Sequence, residues 1–159
     1  VLFAKGIQNI AYLGSNMDQM VNRCRYQGYE EAYRKGKRKL NQDLVYTDLS
    51  SRAMVEKAVE ELKNSGVECI LCQDDYICDE VVRKLARMGV RIPDQMKVAS
   101  CHYSRIVENY PITITSLKFN ITELGRRSCQ VLLDMIHGKT VPDKTLLDYE
   151  IILKESTKG

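Results

Sequence analysis

One stretch of the sequence, residues 67–93, limits the possible folds more than any other. Its first part, Cys69 to Gln73, is a short apolar run rich in β-forming residues, and it ends in the acidic pair Asp74-Asp75. Apolar residues then recur at three- and four-residue spacing as far as Met88, so they fall on one face of a helix. Gly89 ends that helix. The stretch therefore predicts a strand followed directly by a helix, which is the repeating unit of α/β folds.

The same alternation continues along the chain, whose 159 residues, 44% of them hydrophobic, suit one globular domain. Alternating apolar residues and turn signals predict strands over residues 7–14, 43–46, 69–73, 97–101, 113–117 and 146–153. The predicted helices are residues 17–36, a helix capped by Ser50 or Ser51, the helix after Asp74-Asp75, and a helix capped by Asn120 or Thr122. We therefore predict an α/β fold with a mostly parallel sheet and helices on both faces.

Charge and hydropathy argue against a nucleic-acid surface or a membrane segment within this chain. The formal net charge is only +3 at pH 7, whereas a duplex-binding domain concentrates Lys and Arg on one face. The densest basic cluster, Arg34 to Lys39, closes the first helix, and we interpret it as a solvated helix end rather than a phosphate-binding patch. No apolar run approaches the roughly 18 residues that a membrane helix needs.

The six cysteines predict neither a disulfide framework nor a metal site. Cys69 and Cys72 form a C-x-x-C sequence, but residues three apart in a strand point to opposite faces, so this pair is poorly placed to share a metal. Unpaired cysteines behave as small buried hydrophobic residues and suit a reducing compartment. We therefore expect a cytoplasmic protein without a bound metal.

No catalytic or cofactor-binding motif stands out. The sequence has no G-x-G-x-x-G motif, no P-loop and no G-x-S-x-G nucleophile motif. Its two histidines, His102 and His137, have no metal-ligand spacing, and no pair of carboxylates has a recognisable acid–base environment. The sequence thus gives no positive support to an enzyme, and we predict no cofactor.

Candidate binding residues follow the strands, because ligands of open α/β sheets bind outside the carboxyl ends of the strands. After the third strand, Asp74 and Asp75 either accept hydrogen bonds from a ligand or cap the next helix. After the fourth strand, His102 either contacts a ligand or satisfies a loop carbonyl. Arg25, two turns into the first helix, presents paired donors suited to vicinal hydroxyls or a carboxylate. Gly28 predicts a close packing neighbour, since glycine inside a helix costs about 1 kcal/mol.

Motifs that run nearly end to end resemble the effector-binding region of the lactose-repressor/galactose-repressor family of bacterial transcription regulators. Lys5–Ser15 (KGIQNIAYLGS), Arg25–Ala32 (RYQGYEEA) and Met88–Val98 (MGVRIPDQMKV) are similar to the family's first strand, first helix and linker motifs. No single motif is decisive, but their order over almost the whole chain is specific. The remaining resemblances are Gln73-Asp74-Asp75, Glu123–Ser128, Leu132–Gly138 and Glu150–Thr157.

The resemblance implies the ligand-sensing lobe of a regulator whose DNA-binding helix-turn-helix is absent from this chain. By resemblance, residues 1–117 and 141–159 form the carboxy-terminal lobe, and residues 118–140 are a crossing segment and helix that belong to the otherwise missing amino-terminal lobe. A small sugar or related polar metabolite would bind between the two lobes. The implied effector-binding residues are Arg25, Asp74, His102, Phe119 and Leu49.

Several residues depart from the family pattern at this site. His102 stands where the family has a ligand-binding acid, Asp74 where it has an asparagine, and Leu49 where some members have an aromatic residue. Lys154 replaces the family's near-terminal arginine. A carboxylate at position 74 and a titratable histidine at position 102 favour a more polar or cationic ligand over a neutral sugar.

The resemblance also implies a homodimer, formed partly through the third helix and the loop after the fourth strand; ordinary solvated surface is the alternative there. The exposed apolar surface of the crossing helix would also favour self-association or domain swapping. A periplasmic solute-binding protein of the same fold is the main functional alternative, and the six cysteines and regulator-like carboxy-terminal motifs argue against it. The interface candidates are Asp79, Val82, Arg83, Ile106, Val107 and Tyr110.

Overall fold

The computed structural model describes residues 1–106, 108 and 110–158. Its strands are β1 (Ile10–Leu13), β2 (Val45–Tyr46), β3 (Cys69–Cys72), β4 (Lys97–Ser100), β5 (Thr115–Phe119) and β6 (Tyr149–Ile152). Its helices are α1 (Met20–Lys35), α2 (Arg52–Leu62), α3 (Asp75–Arg87) and α4 (Ile121–Ile136). The predicted order of elements is confirmed. β5 lies two residues further along the chain than predicted, and the other strands are shorter.

The six strands form one sheet in the order β2-β1-β3-β4-β5-β6. β1 to β5 are parallel, with Ile10 opposite Cys69 and Cys69 opposite Lys97, whereas β6 runs antiparallel to β5. The predicted mostly parallel sheet is therefore confirmed. Because the strands run in one direction, the segments after Leu13, Cys72, Ser100 and Phe119 lie along one side of the sheet, which we call the carboxyl edge.

Helices cover both faces of the sheet, as the alternation of side chains along the strands requires. On β1, Leu13 belongs to a core cluster with α2 and α3, whereas Tyr12 belongs to a second cluster with α1. On β3, Cys72 lies in the first cluster and Cys69 in the second. The prediction that these two cysteines lie on opposite faces is confirmed.

Helix α1 is attached to the sheet by two tyrosines. The hydroxyls of Tyr29 and Tyr33 donate hydrogen bonds to the carbonyl oxygen of Ile10, at 2.7 and 3.1 Å, and both rings are buried. Gly28 lies beside Tyr29, and a Cβ atom added to it would have no neighbour within 4 Å. The prediction of a close packing neighbour at Gly28 is therefore wrong.

The last helix and strand differ from the rest of the fold. No residue of α4 is buried, although Asn120 caps it by accepting a hydrogen bond from the Glu123 backbone N–H at 2.9 Å. Among the described residues, no helix combines the length and the apolarity needed to cross a membrane. The exposed apolar residues of α4 are Ile121, Leu124, Leu132, Leu133, Met135 and Ile136.

Candidate functional site

A buried glutamine joins two strand ends at the carboxyl edge. Gln73, directly after β3, accepts hydrogen bonds at Oε1 from the Tyr12 hydroxyl and the Ser15 backbone N–H, both at 3.2 Å. A Cβ atom on Gly14 would lie 2.5 Å from the same oxygen, so the close approach of the two segments requires glycine there. Gln73 therefore joins the ends of β1 and β3 at the carboxyl edge, which the sequence had not indicated.

The two acidic residues after β3 have different environments. Asp74 is the N-cap of α3, and its Oδ1 accepts a hydrogen bond from the Ile77 backbone N–H at 2.9 Å. Asp75 is buried, accepts a hydrogen bond from the Ser104 hydroxyl, and lies 3.3 Å from Nδ1 of His102. Capping is thus observed at Asp74, while Asp75 holds the loop after β4.

Hydrogen bonding keeps Asp75 ionised in spite of its burial. Burial favours the neutral acid, but hydrogen bonds from Ser104, from the backbone N–H of Asp75 and from His102 outweigh burial and hold the pKa of this carboxyl below its usual value. The side chain of His102 is 30% exposed. An ionised Asp75 therefore has a donor at Nδ1 of His102, and the other ring nitrogen, Nε2, is left for a ligand.

Arg25 opens onto a cavity of about 450 Å³ beside α1. The cavity reaches the carboxyl edge at Cys101 and Phe119. Arg25 and Asp74 both act electrostatically on Cys101: burial raises the pKa of its thiol to about 11, and Arg25 opposes the increase, whereas Asp74 adds to it. Arg25 and Cys101 therefore line one cavity, and Asp74 lies near enough to act on the same thiol.

His102 opens onto a second, larger cavity of about 1050 Å³. Phe119 and Tyr149 line both cavities, and the rings of His102 and Phe119 are nearly parallel, with centroids 6.3 Å apart. Such a combination of aromatic faces and polar groups is typical of small-molecule sites. The other residues that line the second cavity are Tyr103, Ser104, Arg105, Glu108, Lys118, Asn120, Ile121, Thr122, Asp148 and Glu150.

The structure thus brings three of the five predicted effector-binding residues, Arg25, His102 and Phe119, to the walls of two adjoining cavities. Asp74 lies nearby as a helix cap and lines neither cavity. Leu49 is buried in the core with α2 and α3 and also lines neither cavity. Binding of an effector by these residues remains a prediction.

Three of the interface candidates contact one another, two of them on α3 and one in the loop after β4. Asp79 accepts a hydrogen bond from the Tyr110 hydroxyl and forms an ion pair with Arg83 at 2.9 Å. Val82 is buried in the chain's own core, so little of its side chain is exposed for a contact between copies. Ile106 is partly buried. Val107 lies outside the described residues.

Metal-binding chemistry finds no support in the described part of the chain. Within residues 1–106, 108 and 110–158, no group of three or more His, Cys, Asp or Glu side chains is arranged to hold a metal ion. Cys69 is fully buried, and burial raises the pKa of its thiol to about 12, which disfavours the thiolate that metals require.

One protein family and its curated relatives match almost the whole chain. The family profile of the periplasmic binding protein-like domain matches residues 1–157. HTH-type transcriptional regulator RegA of Clostridium saccharobutylicum is 23% identical over 99% of this chain and 48% of its own length. HTH-type transcriptional regulator CelR of Thermobifida fusca is 26% identical over 98% of this chain and 46% of its own length. The chain therefore spans about half the length of these curated relatives.

Solved structures share the fold. The transcription regulator CcpA of Lactococcus lactis superposes with a TM-score of 0.87 at 24% identity, covering 99% of this chain and 58% of that protein's chain. A complex of the transcriptional regulator CelR with cellobiose gives a TM-score of 0.85 at 25% identity, covering 98% and 48% of the two chains.

Proposed function

Because this chain belongs to the periplasmic binding protein-like domain family and, within it, to the lactose-repressor/galactose-repressor group, we propose that it senses a small molecule for a bacterial transcription regulator. The ligand binds at the carboxyl edge and controls DNA binding through a helix-turn-helix domain that is not part of this chain. The observation that carries the proposal is the convergence of Arg25, His102 and Phe119 on adjoining cavities at that edge.

The ligand class that fits best is a sugar or a sugar-like polar metabolite. Phe119 and Tyr149 offer aromatic faces to the apolar C–H surface of a sugar ring, and Arg25 and His102 offer hydrogen-bonding groups to its hydroxyls. The similarity to CelR, whose structure contains cellobiose, supports the same class.

Residues 1–117 and 141–159 act as the carboxy-terminal lobe of a two-lobed domain, and residues 118–140 cross to the other lobe. No residue of α4 is buried and six of its apolar side chains are exposed, which supports this division, because such a surface is normally covered by protein. Ligand binding between the lobes then shifts a dimer equilibrium, provided that the ligand has different affinities for the two states. Asp79, Arg83, Ile106 and Tyr110 are the proposed dimer contacts.

Two alternatives are less well supported. A periplasmic solute-binding protein shares the fold, but the relatives named above are HTH-type transcriptional regulators. An enzyme would need a catalytic constellation, and those relatives are regulators of transcription. The regulator assignment implies a cytoplasmic protein that binds and releases its ligand unchanged.

A thermal-shift screen of sugars with the full-length protein tests the proposal. Cellobiose, other disaccharides and common monosaccharides are the probes, and a specific ligand is expected to raise the melting temperature by mass action. His102→Ala should weaken the binding of an active sugar by about tenfold or more. His137→Ala, at the exposed end of α4, is the matched control and should bind like the wild type. A sugar that binds both variants equally would place the site elsewhere.

A further inference from the structure

Gln73 is a polar side chain that is fully buried, although it lines neither of the two cavities. Its Oε1 accepts hydrogen bonds from the Tyr12 hydroxyl and the Ser15 backbone N–H, and its Nε2 donates to the Ser15 hydroxyl at 3.5 Å. A buried amide costs free energy unless its polar atoms are paired, and an apolar side chain of the same volume avoids that cost. The directional hydrogen bonds of Gln73 therefore fix a geometry that apolar packing alone does not specify.

The Tyr12 hydroxyl is the second part of this buried network. Burial raises its pKa, so the hydroxyl is protonated at neutral pH and donates its hydrogen bond to Gln73. The Tyr12 ring contacts the rings of Tyr26 and Tyr29 of α1, with ring centroids 5.4 and 5.2 Å apart. The network therefore links the end of β3 to the helix that carries Arg25.

The loop between β1 and α1 is held from two sides. Gln73 binds the backbone N–H and the hydroxyl of Ser15. From the other side, Nδ2 of Asn22 donates hydrogen bonds to the carbonyl oxygens of Ser15 and Asn16, at 3.1 and 3.0 Å. Asn22 is itself buried and lies three residues before Arg25 in α1. Gln73 thus fixes the start of α1 relative to the end of β3.

The residues that directly follow Gln73 hold the other side of the candidate site. Asp74 caps α3, and Asp75 lies 3.3 Å from Nδ1 of His102. We propose that Gln73 is a positioning residue, which touches no ligand and sets the distance between Arg25 and His102. This proposal rests on the ligand-sensing function proposed above and adds a residue that determines how well a ligand fits between the two walls.

Calorimetric titration of the full-length protein with cellobiose, maltose, glucose and galactose tests this inference, at a temperature where circular dichroism shows each variant to be folded. Gln73→Leu retains most of the side-chain volume but removes the acceptor for Tyr12 and Ser15. We expect it to weaken the binding of the tightest-binding probe by about tenfold. Tyr12→Phe removes only one hydrogen bond and should weaken binding by about threefold. This second variant decides the outcome if Gln73→Leu does not fold.

A double-mutant cycle with His102→Ala separates positioning from a general loss of stability. If Gln73 acts by placing Arg25 relative to His102, either variant should weaken binding by less than about twofold once His102 has been truncated. An equal factor in both backgrounds would overturn the positioning role.

Tyr33→Phe is the matched control, because it removes a buried hydroxyl from the same pairing of α1 with β1 at the opposite end of the strand, where Tyr33 donates to the Ile10 carbonyl oxygen. It should bind the probe like the wild type. Wild-type affinity in Gln73→Leu and Tyr12→Phe, or equal weakening by Tyr12→Phe and Tyr33→Phe, would overturn the positioning role but leave ligand sensing intact. Absence of binding of every probe to the wild type would overturn both proposals.

Discussion

Helices α3 and α4 are both amphipathic, but they differ completely in what covers their apolar sides. α3 buries five apolar residues against α2 and the sheet, whereas α4 buries none. Sequence periodicity shows which face of a helix is apolar, and it does not show which surface covers that face. Because one chain contains both a packed helix and an exposed one, the contribution of a covered apolar side to the free energy of unfolding can be measured directly.

Truncation of one leucine in each helix should give the largest contrast. Leu85 in α3 is fully buried and Leu132 in α4 is 57% exposed. In the 159-residue chain, Leu85→Ala should lower the free energy of unfolding by about 3 kcal/mol, because it removes packed atoms and leaves a cavity. Leu132→Ala should change it by less than about 0.5 kcal/mol. Urea denaturation followed by circular dichroism measures both.

The same pair of variants tests the proposed division into lobes. In the full-length protein, a second lobe that covers α4 would make Leu132→Ala cost about 2 kcal/mol or more. If Leu132→Ala changes the free energy of unfolding by the same small amount in the 159-residue chain and in the full-length protein, the assignment of residues 118–140 to that lobe is contradicted.

The carboxylate of Asp75 is a polar counterpart to the buried apolar side chains of α3. Its pKa in the folded chain is below the usual value of 3.8, so it stabilises the fold above that pH, and the contribution is lost as the pH falls through the lower folded value. Asp75→Asn should therefore cost about 1–2 kcal/mol at pH 7 and progressively less below pH about 4. Urea unfolding of wild type and variant at pH 7 and at about pH 2.5, below the usual pKa of the carboxyl, measures the change.

Asp94→Asn is a suitable control for the pH experiment. Asp94 is exposed and pairs with Arg91 on the surface, so the substitution should have little effect at either pH. A cost of Asp75→Asn that is as large at about pH 2.5 as at pH 7 would show that the ionised carboxylate is not the stabilising species.

Capping residues extend the comparison to the ends of helices. Ser51 caps the packed helix α2 by accepting a hydrogen bond from the Met54 N–H at 3.4 Å, and Asn120 caps α4. Ser51→Ala should lower the free energy of unfolding of the 159-residue chain by about 1 kcal/mol. Asn120→Ala should leave the denaturation midpoint unchanged and accelerate amide hydrogen exchange in α4 about fivefold, because α4 opens locally. If Ser51→Ala and Asn120→Ala lower the denaturation midpoint equally, α4 unfolds together with the core.

The fold was predictable because its causes are local. The alternation of strands and helices, the acidic cap at Asp74 and the stop at Gly89 all lie within single segments of sequence, and the structure contains each of them. The limits of the strands were less predictable. The limits of β5 and β6 depend on how many residues of these two distant segments pair with each other. The periodicity within one segment does not show how far that pairing extends.

The candidate site was only partly predictable. His102 stands out as a polar residue beside a predicted strand end and Arg25 as a polar residue two turns into the first helix, but their neighbours come from distant positions. The Asp75–Ser104 hydrogen bond joins residues 29 positions apart, and the Tyr12–Gln73 bond joins residues 61 apart. Such pairs follow from the order of strands in the sheet. Leu49, which the resemblance implies as an effector contact, lies in the core with α2 and α3 and lines neither cavity, so its contact with an effector stays a prediction.

The smallest predicted effect concerns Gly28, in the middle of α1 on the wall of the first cavity. A Cβ atom there meets nothing within 4 Å, so Gly28→Ala should stabilise the 159-residue chain by about 0.5–1 kcal/mol through the higher helix propensity of alanine. Urea denaturation measures this gain. If another part of the full-length protein packs against Gly28, the same substitution will be neutral or destabilising there. A gain of equal size in both lengths of chain would show that this side of α1 stays open, in contrast to the apolar side of α4.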